Sequence, residues 1–80
     1  MKLPRDVSGD ELVKRLAMLE YHPTRQTGSH VRLTRSNDDE HHITVPSHKT
    51  LKVGTLNSIL RDVAEHLQMS KDELIRTLWE

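Results

Sequence analysis

Two runs of alternating residues, Val31-Arg32-Leu33-Thr34 and His42-Ile43-Thr44-Val45, flank the polar cluster Ser36-Asn37-Asp38-Asp39-Glu40. This arrangement constrains the fold more than any other feature of the chain. A period of two sends successive side chains to opposite faces of a strand, and a turn-forming cluster between two such runs makes an antiparallel hairpin. The strands are expected over residues 29–35 and 41–46. With Val31, Leu33, Ile43 and Val45 turned inward, the other face gathers His30, Arg32, Thr34, His42 and Thr44. Residues 21–27 read as a further strand, in which Pro23 lacks an N–H for the ladder and so marks an edge or a bulge.

A sheet with one apolar face needs a second layer to cover it, and the flanking segments supply helices. Val7-Ser8-Gly9-Asp10-Glu11-Leu12 has Ser8 as N-cap, Glu11 to close a capping box, and Val7 with Leu12 as a hydrophobic staple. That helix is expected to run to about Glu20, burying Leu12, Leu16 and Leu19 with Val13 and Ala17 beside them. After Pro46, a loop carrying Lys49 and Lys52 leads to Gly54-Thr55, where a second helix begins with the apolar stripe Leu56, Ile59, Leu60, Val63 and Leu67. Met69-Ser70-Lys71-Asp72-Glu73-Leu74 repeats the capping signal and predicts a short third helix to about Trp79. The expectation is an α+β fold of one domain over residues 1–80.

A chain of 80 residues holds no spare core for a deep cavity, so a shallow site acting on a large substrate suits it better than a pocket closing over a metabolite. Cysteine is absent, which removes disulfides and thiolate zinc sites, and no apolar run is long enough for a signal peptide or a membrane span. A cytoplasmic location is the simplest expectation. The 12 basic and 12 acidic residues cancel, but unevenly. Residues 1–35 carry seven basic (Lys2, Arg5, Lys14, Arg15, Arg25, Arg32, Arg35) against four acidic (Asp6, Asp10, Glu11, Glu20). The more positive part includes Arg25-Gln26-Thr27-Gly28-Ser29-His30-Val31-Arg32 and favours a phosphate-bearing partner there. Histidine titrates near neutrality, so His30 between two arginines is suited to moving a proton beside an anion.

Arg25-Gln26-x-Gly28-Ser29-His30, followed by Val45-Pro46-x-His48-x-x-Leu51-x-x-Gly54-Thr55-Leu56-x-x-Ile59-Leu60, resembles the HicA (YcfA-like) mRNA interferase toxins of bacterial toxin–antitoxin pairs. Tyr21 falls where that family usually has an aromatic residue, whereas Glu20 stands where it usually has a glycine. The resemblance implies a double-stranded-RNA-binding-domain-like α-β-β-β-α fold, with helices on one face of a three-stranded antiparallel sheet. Residues 62–69 and the third helix extend beyond the family's compact ending. It also implies a type II toxin, an endoribonuclease that cleaves mRNA without a metal or other cofactor and is neutralised by a HicB-type antitoxin. His30 is the implied catalytic residue.

RNA cleavage without a metal commonly proceeds by attack of a 2′-hydroxyl on its own phosphodiester, and calls for a base, an acid and cations. His30 is expected as base or acid, and Arg25 and Arg32 as the phosphate clamp. His42, across the hairpin, is the expected second proton-transfer group, with His48 a weaker candidate from the loop. Ser29 is expected to contact the RNA and to serve strand-entry geometry rather than to act as a nucleophile. His48, Lys49 and Lys52 are either RNA contacts or ordinary loop groups. Asp38-Asp39-Glu40-His41-His42 is a poor metal set, because adjacent histidines on a strand point to opposite faces. A non-catalytic RNA-binding module and a protein-interaction module are the alternatives; oligomeric state is not legible.

Overall fold

The protein is described here from a computed structural model over residues 3–37 and 39–80. Asp38 of the polar turn and Lys2 of the positive segment lie outside the described residues. The elements run α1 (Gly9–Leu16), a 3₁₀ turn (Ala17–Leu19), β1 (His22–Thr27), β2 (His30–Arg35), β3 (His41–Pro46), α2 (Val53–Leu67) and α3 (Lys71–Trp79). The sheet is antiparallel in the order β1-β2-β3. This is the expected α+β layout with its additional C-terminal helix.

Helix α1 starts where the sequence predicts, with the Ser8 hydroxyl accepting the Glu11 N–H at 3.0 Å. The capping box does not close in the expected way. The Glu11 carboxylate instead takes Arg15 Nε at 2.8 Å and Trp79 Nε1 at 3.1 Å, because an ionised partner makes a stronger hydrogen bond than a backbone N–H. The Arg15 guanidinium also donates to the Leu78 carbonyl at 2.6 Å and lies 5.1 Å from the Trp79 ring centroid. Glu11 and Arg15 thus fasten α3 to α1. The helix tightens into 3₁₀ geometry after Leu16, turning Ala17 outward from its expected place in the stripe. Glu20 ends it in the left-handed region at φ 67°, where glycine is the usual occupant.

One core lies between the inner face of the sheet and the helices. Leu33, Ile43 and Val45 meet Leu12 and Leu16 of α1, Leu56, Leu60 and Val63 of α2, and Leu74 and Leu78 of α3, with Tyr21 fully buried among them. The β1–β2 register shifts between Pro23 and Arg25, the irregularity that Pro23 predicts. Helix α1 approaches the end of β3 so closely that a Cβ on Gly9 would lie 2.0 Å from the Pro46 carbonyl oxygen. There the Gly9 N–H donates to the His48 carbonyl at 2.9 Å and Leu51 N–H to the Val7 carbonyl at 2.8 Å. These bonds fix the loop that follows β3.

Candidate active site

Among the described residues no helix covers the outer face of the sheet, and its residues are ordered by register. Thr27, His30 and Pro46 form one rung across the three strands; Arg25, Arg32 and Thr44 form the next inward; His22, Thr34 and His42 form a third. The turn between β1 and β2 is two residues long, with Gly28 at φ 57° in its first position, the place a type II′ turn assigns to glycine. This turn sets His30 at the start of β2. Across the sheet, the Ser29 carbonyl accepts the Ser47 N–H at 2.6 Å, tying the turn to the end of β3.

The first two rungs enclose an open depression of about 250 Å³ lined by Arg25, Thr27, His30, Arg32 and Thr44. Its donors are two guanidiniums, two hydroxyls and one imidazole, with no carboxylate in the lining. Such a set suits an oxyanion: guanidinium forks match phosphate oxygens, and the absence of a lining carboxylate leaves little to attract a divalent cation. His30, Arg25 and Arg32 are all exposed, so the site is open to a large substrate.

The remaining predicted residues fall into two groups. Ser29 is in the turn beside the depression, and His48, Lys49 and Lys52 follow Ser47 along the exposed loop at the same end of the sheet. None of these four lines the depression. His42 shares the outer face but not the neighbourhood of His30. It pairs with Thr34, four residues along β2 from His30, or about 13 Å at roughly 3.3 Å per residue. Both its ring nitrogens are engaged, Nδ1 with the Thr34 hydroxyl at 2.8 Å and Nε2 with Glu40 Oε2 at 2.7 Å. Thr34, 8% exposed, also meets the Thr24 hydroxyl at 2.8 Å. One consistent direction runs from Thr24 to Thr34 to His42 to Glu40, each group donating to the next. The chain of bonds joins all three strands and holds His42 two rungs from His30.

His41 points the other way, toward the helices, with only 15% of its side chain exposed. The expectation that His41 and His42 occupy opposite faces therefore holds. Among the described residues, no group of three or more histidines or carboxylates is placed to hold a metal ion, and no helix is long and apolar enough to cross a membrane. Thr27 and Thr44 complete the depression; alternation alone places Thr44 on the face of His30, whereas Thr27 stands in the sequence only as a neighbour of the motif glycine. Register signals them, since each directly faces a residue already singled out.

Comparison with known proteins bears on this arrangement. Residues 9–64, more than half of the chain, match the family model described as the HicA toxin of bacterial toxin–antitoxin systems. No curated protein and no solved structure gives a significant match. The matched span runs from the first residue of α1 through the three strands and most of α2, and includes every residue of the depression around His30. The chain therefore belongs to the HicA family of toxins from bacterial toxin–antitoxin systems.

Proposed function

We propose that the protein is an endoribonuclease that cleaves mRNA through His30, without a metal, and is held inactive by a HicB-type antitoxin. The observation that carries this reading is the depression joining one imidazole to Arg25 and Arg32 on an open face. In the proposed reaction a ring nitrogen of His30 takes the proton from a ribose 2′-hydroxyl. The resulting oxygen attacks the adjacent phosphorus, and the bond to the 5′ oxygen breaks. That oxygen needs a proton, and the imidazolium just formed at His30 supplies it. The products are a 2′,3′-cyclic phosphate and a free 5′-hydroxyl, with His30 returned to its starting state. Arg25 and Arg32 hold the non-bridging oxygens, where negative charge accumulates. The hydroxyls of Thr27 and Thr44 donate to the same oxygens or to the ribose.

His42 is assigned a positioning role in this scheme rather than the second proton transfer, in keeping with its rung and its two engaged nitrogens. His48, Lys49 and Lys52 contact flanking phosphates from the rim, and Ser29 supports the turn. The antitoxin covers the cationic face with an acidic segment, in the cytoplasm where mRNA is available. Purified protein and His30→Ala are incubated with long single-stranded RNA in excess EDTA. Wild type is expected to leave 2′,3′-cyclic ends, and His30→Ala, folded by circular dichroism, to leave RNA intact. Equal cleavage by both proteins rules out His30 as the reacting group. RNA bound by both but cut by neither favours a non-catalytic binding module.

A further inference from the structure

Where β3 meets α2, four polar side chains stand together beside the apolar core. Tyr21 is fully buried, and its hydroxyl lies 2.6 Å from His41 Nδ1. Burial holds the Tyr21 phenol well above its ordinary range, at about 12, so the hydroxyl keeps its proton and donates. With Nδ1 accepting from Tyr21, Nε2 is left as the donor, 3.2 Å from Asp62 Oδ1 on α2. Two further ring contacts hold the His41 imidazole. His66 stacks on it with centroids 4.1 Å apart and planes within 10°, and Tyr21 meets it edge-on at 5.7 Å and 74°. Polar groups placed against a core cost free energy unless fully satisfied. Packing alone would be served as well by a leucine at position 41. What the network leaves fixed is the carboxylate at its outer end, on an Asp62 side chain that is 56% exposed.

That carboxylate borders a groove of about 420 Å³ along the free edge of β3, lined also by Arg32, His42, Thr44, Ser58 and Ile59. Arg32 and Thr44 line the His30 depression as well, so the two hollows adjoin. We infer that this groove is a nucleobase pocket in which Asp62 and Ser58 read the base beside the cleaved phosphate, with guanine the preferred base. The inference rests on the ribonuclease reading above. A carboxylate repels phosphate but accepts hydrogen bonds from base amino and imino groups, and single-stranded RNA offers those edges. Guanine presents N1–H and N2–H₂ side by side, two donors to one carboxylate. Uracil offers a lone N–H between two carbonyls that the carboxylate repels, and ranks last. Ile59, nearly buried, gives the base an apolar surface, and the bond from His41 spares Asp62 the cost of being oriented on binding.

The test separates the pocket from the chemistry. His30→Ala protein, with and without Asp62→Asn, is titrated with four labelled pentaribonucleotides differing only in the central base. Guanine is expected to bind about tenfold more tightly than uracil, and Asp62→Asn to abolish the difference while the phosphate contacts keep overall binding. The asparagine retains an oxygen for His41, and Asp62→Ser serves as a second variant if Asp62→Asn does not fold. Cut sites of the wild type on long RNA are expected beside guanine, and those of Asp62→Asn without base preference. Equal affinity for the four oligomers, or a guanine preference that survives loss of the carboxylate, overturns the pocket whatever wild type does to RNA. A guanine preference lost with Asp62, in a wild type that leaves RNA intact, sustains the pocket and overturns only the catalytic reading.

Discussion

Replacing Gly9 by alanine sets two physical effects against each other. Helix propensity favours the change by up to about 1 kcal/mol, since alanine loses less backbone entropy on folding than glycine. Packing opposes it. The new Cβ would stand 2.0 Å from the Pro46 carbonyl oxygen and 3.1 Å from Ser47 Cα, both backbone atoms that no rotamer change can move. Relief requires α1 and the end of β3 to separate by about an ångström, and overfilling of a packed site costs roughly 1–3 kcal/mol or more. The same movement stretches the bond from Gly9 N–H to the His48 carbonyl, worth about 0.5–1.5 kcal/mol. The net expectation is a loss of about 1–3 kcal/mol, a large share of the roughly 4–12 kcal/mol usual for a domain of this size. Urea unfolding followed by Trp79, the one tryptophan, should show the midpoint falling by about 0.5–3 M for a urea dependence of roughly 1–2 kcal/mol per M. Gly54→Ala is the matched control, with nothing within 4 Å of its Cβ, and should gain up to about 1 kcal/mol. A Gly9→Ala midpoint at or above wild type, or an equal loss at Gly54, would refute the reasoning. Since Pro46 pairs with His30, RNA cleavage by Gly9→Ala should also fall.

Other outcomes follow from single contacts. Glu20→Gly should raise stability by about 0.5–1 kcal/mol in the same assay, because the left-handed conformation at φ 67° costs glycine nothing. Tyr21→Phe leaves His41 Nδ1 without its donor and should cost about 1–3 kcal/mol. Bonds from Arg15 and then Trp79 hold the Glu11 carboxyl below its usual 4.5. Its stabilising contribution is therefore present above about pH 4.5 and fades as pH falls through the lowered value. The urea-midpoint difference between wild type and Glu11→Gln, clear at pH 7, should shrink as the pH falls below about 4.5. Arg32→Lys, which keeps the charge but loses the fork, should slow RNA cleavage more than tenfold without shifting the thermal midpoint, since Arg32 is exposed.

Local chemistry made much of this protein legible in its sequence. Ser8 and Ser70 cap their helices as the spacing predicts, the alternation of Val31 to Arg35 against His41 to Val45 sets the hairpin, and Pro23 sits at the irregular edge. Period, capping and turn chemistry depend on residues a few positions apart, so the sequence alone determines them. The motif Gly28-Ser29-His30 points to the proposed site from the sequence because glycine, turn and histidine are likewise neighbours in the chain. What lay beyond reach is set by distances across the fold. Period two put His42 on the face of His30, but only the register of β3 against β2 separates them by four residues. The carboxylate of Glu11 reaches Trp79, beside its local partner Arg15, only because α3 packs against α1. Nothing near Gly9 announces the Pro46 carbonyl, and Asp62 reads as one more solvated helix charge until His41 arrives from β3 to hold it. Backbone pattern is written locally, whereas the partner of each polar side chain is chosen by whichever distant segment the apolar core brings alongside it.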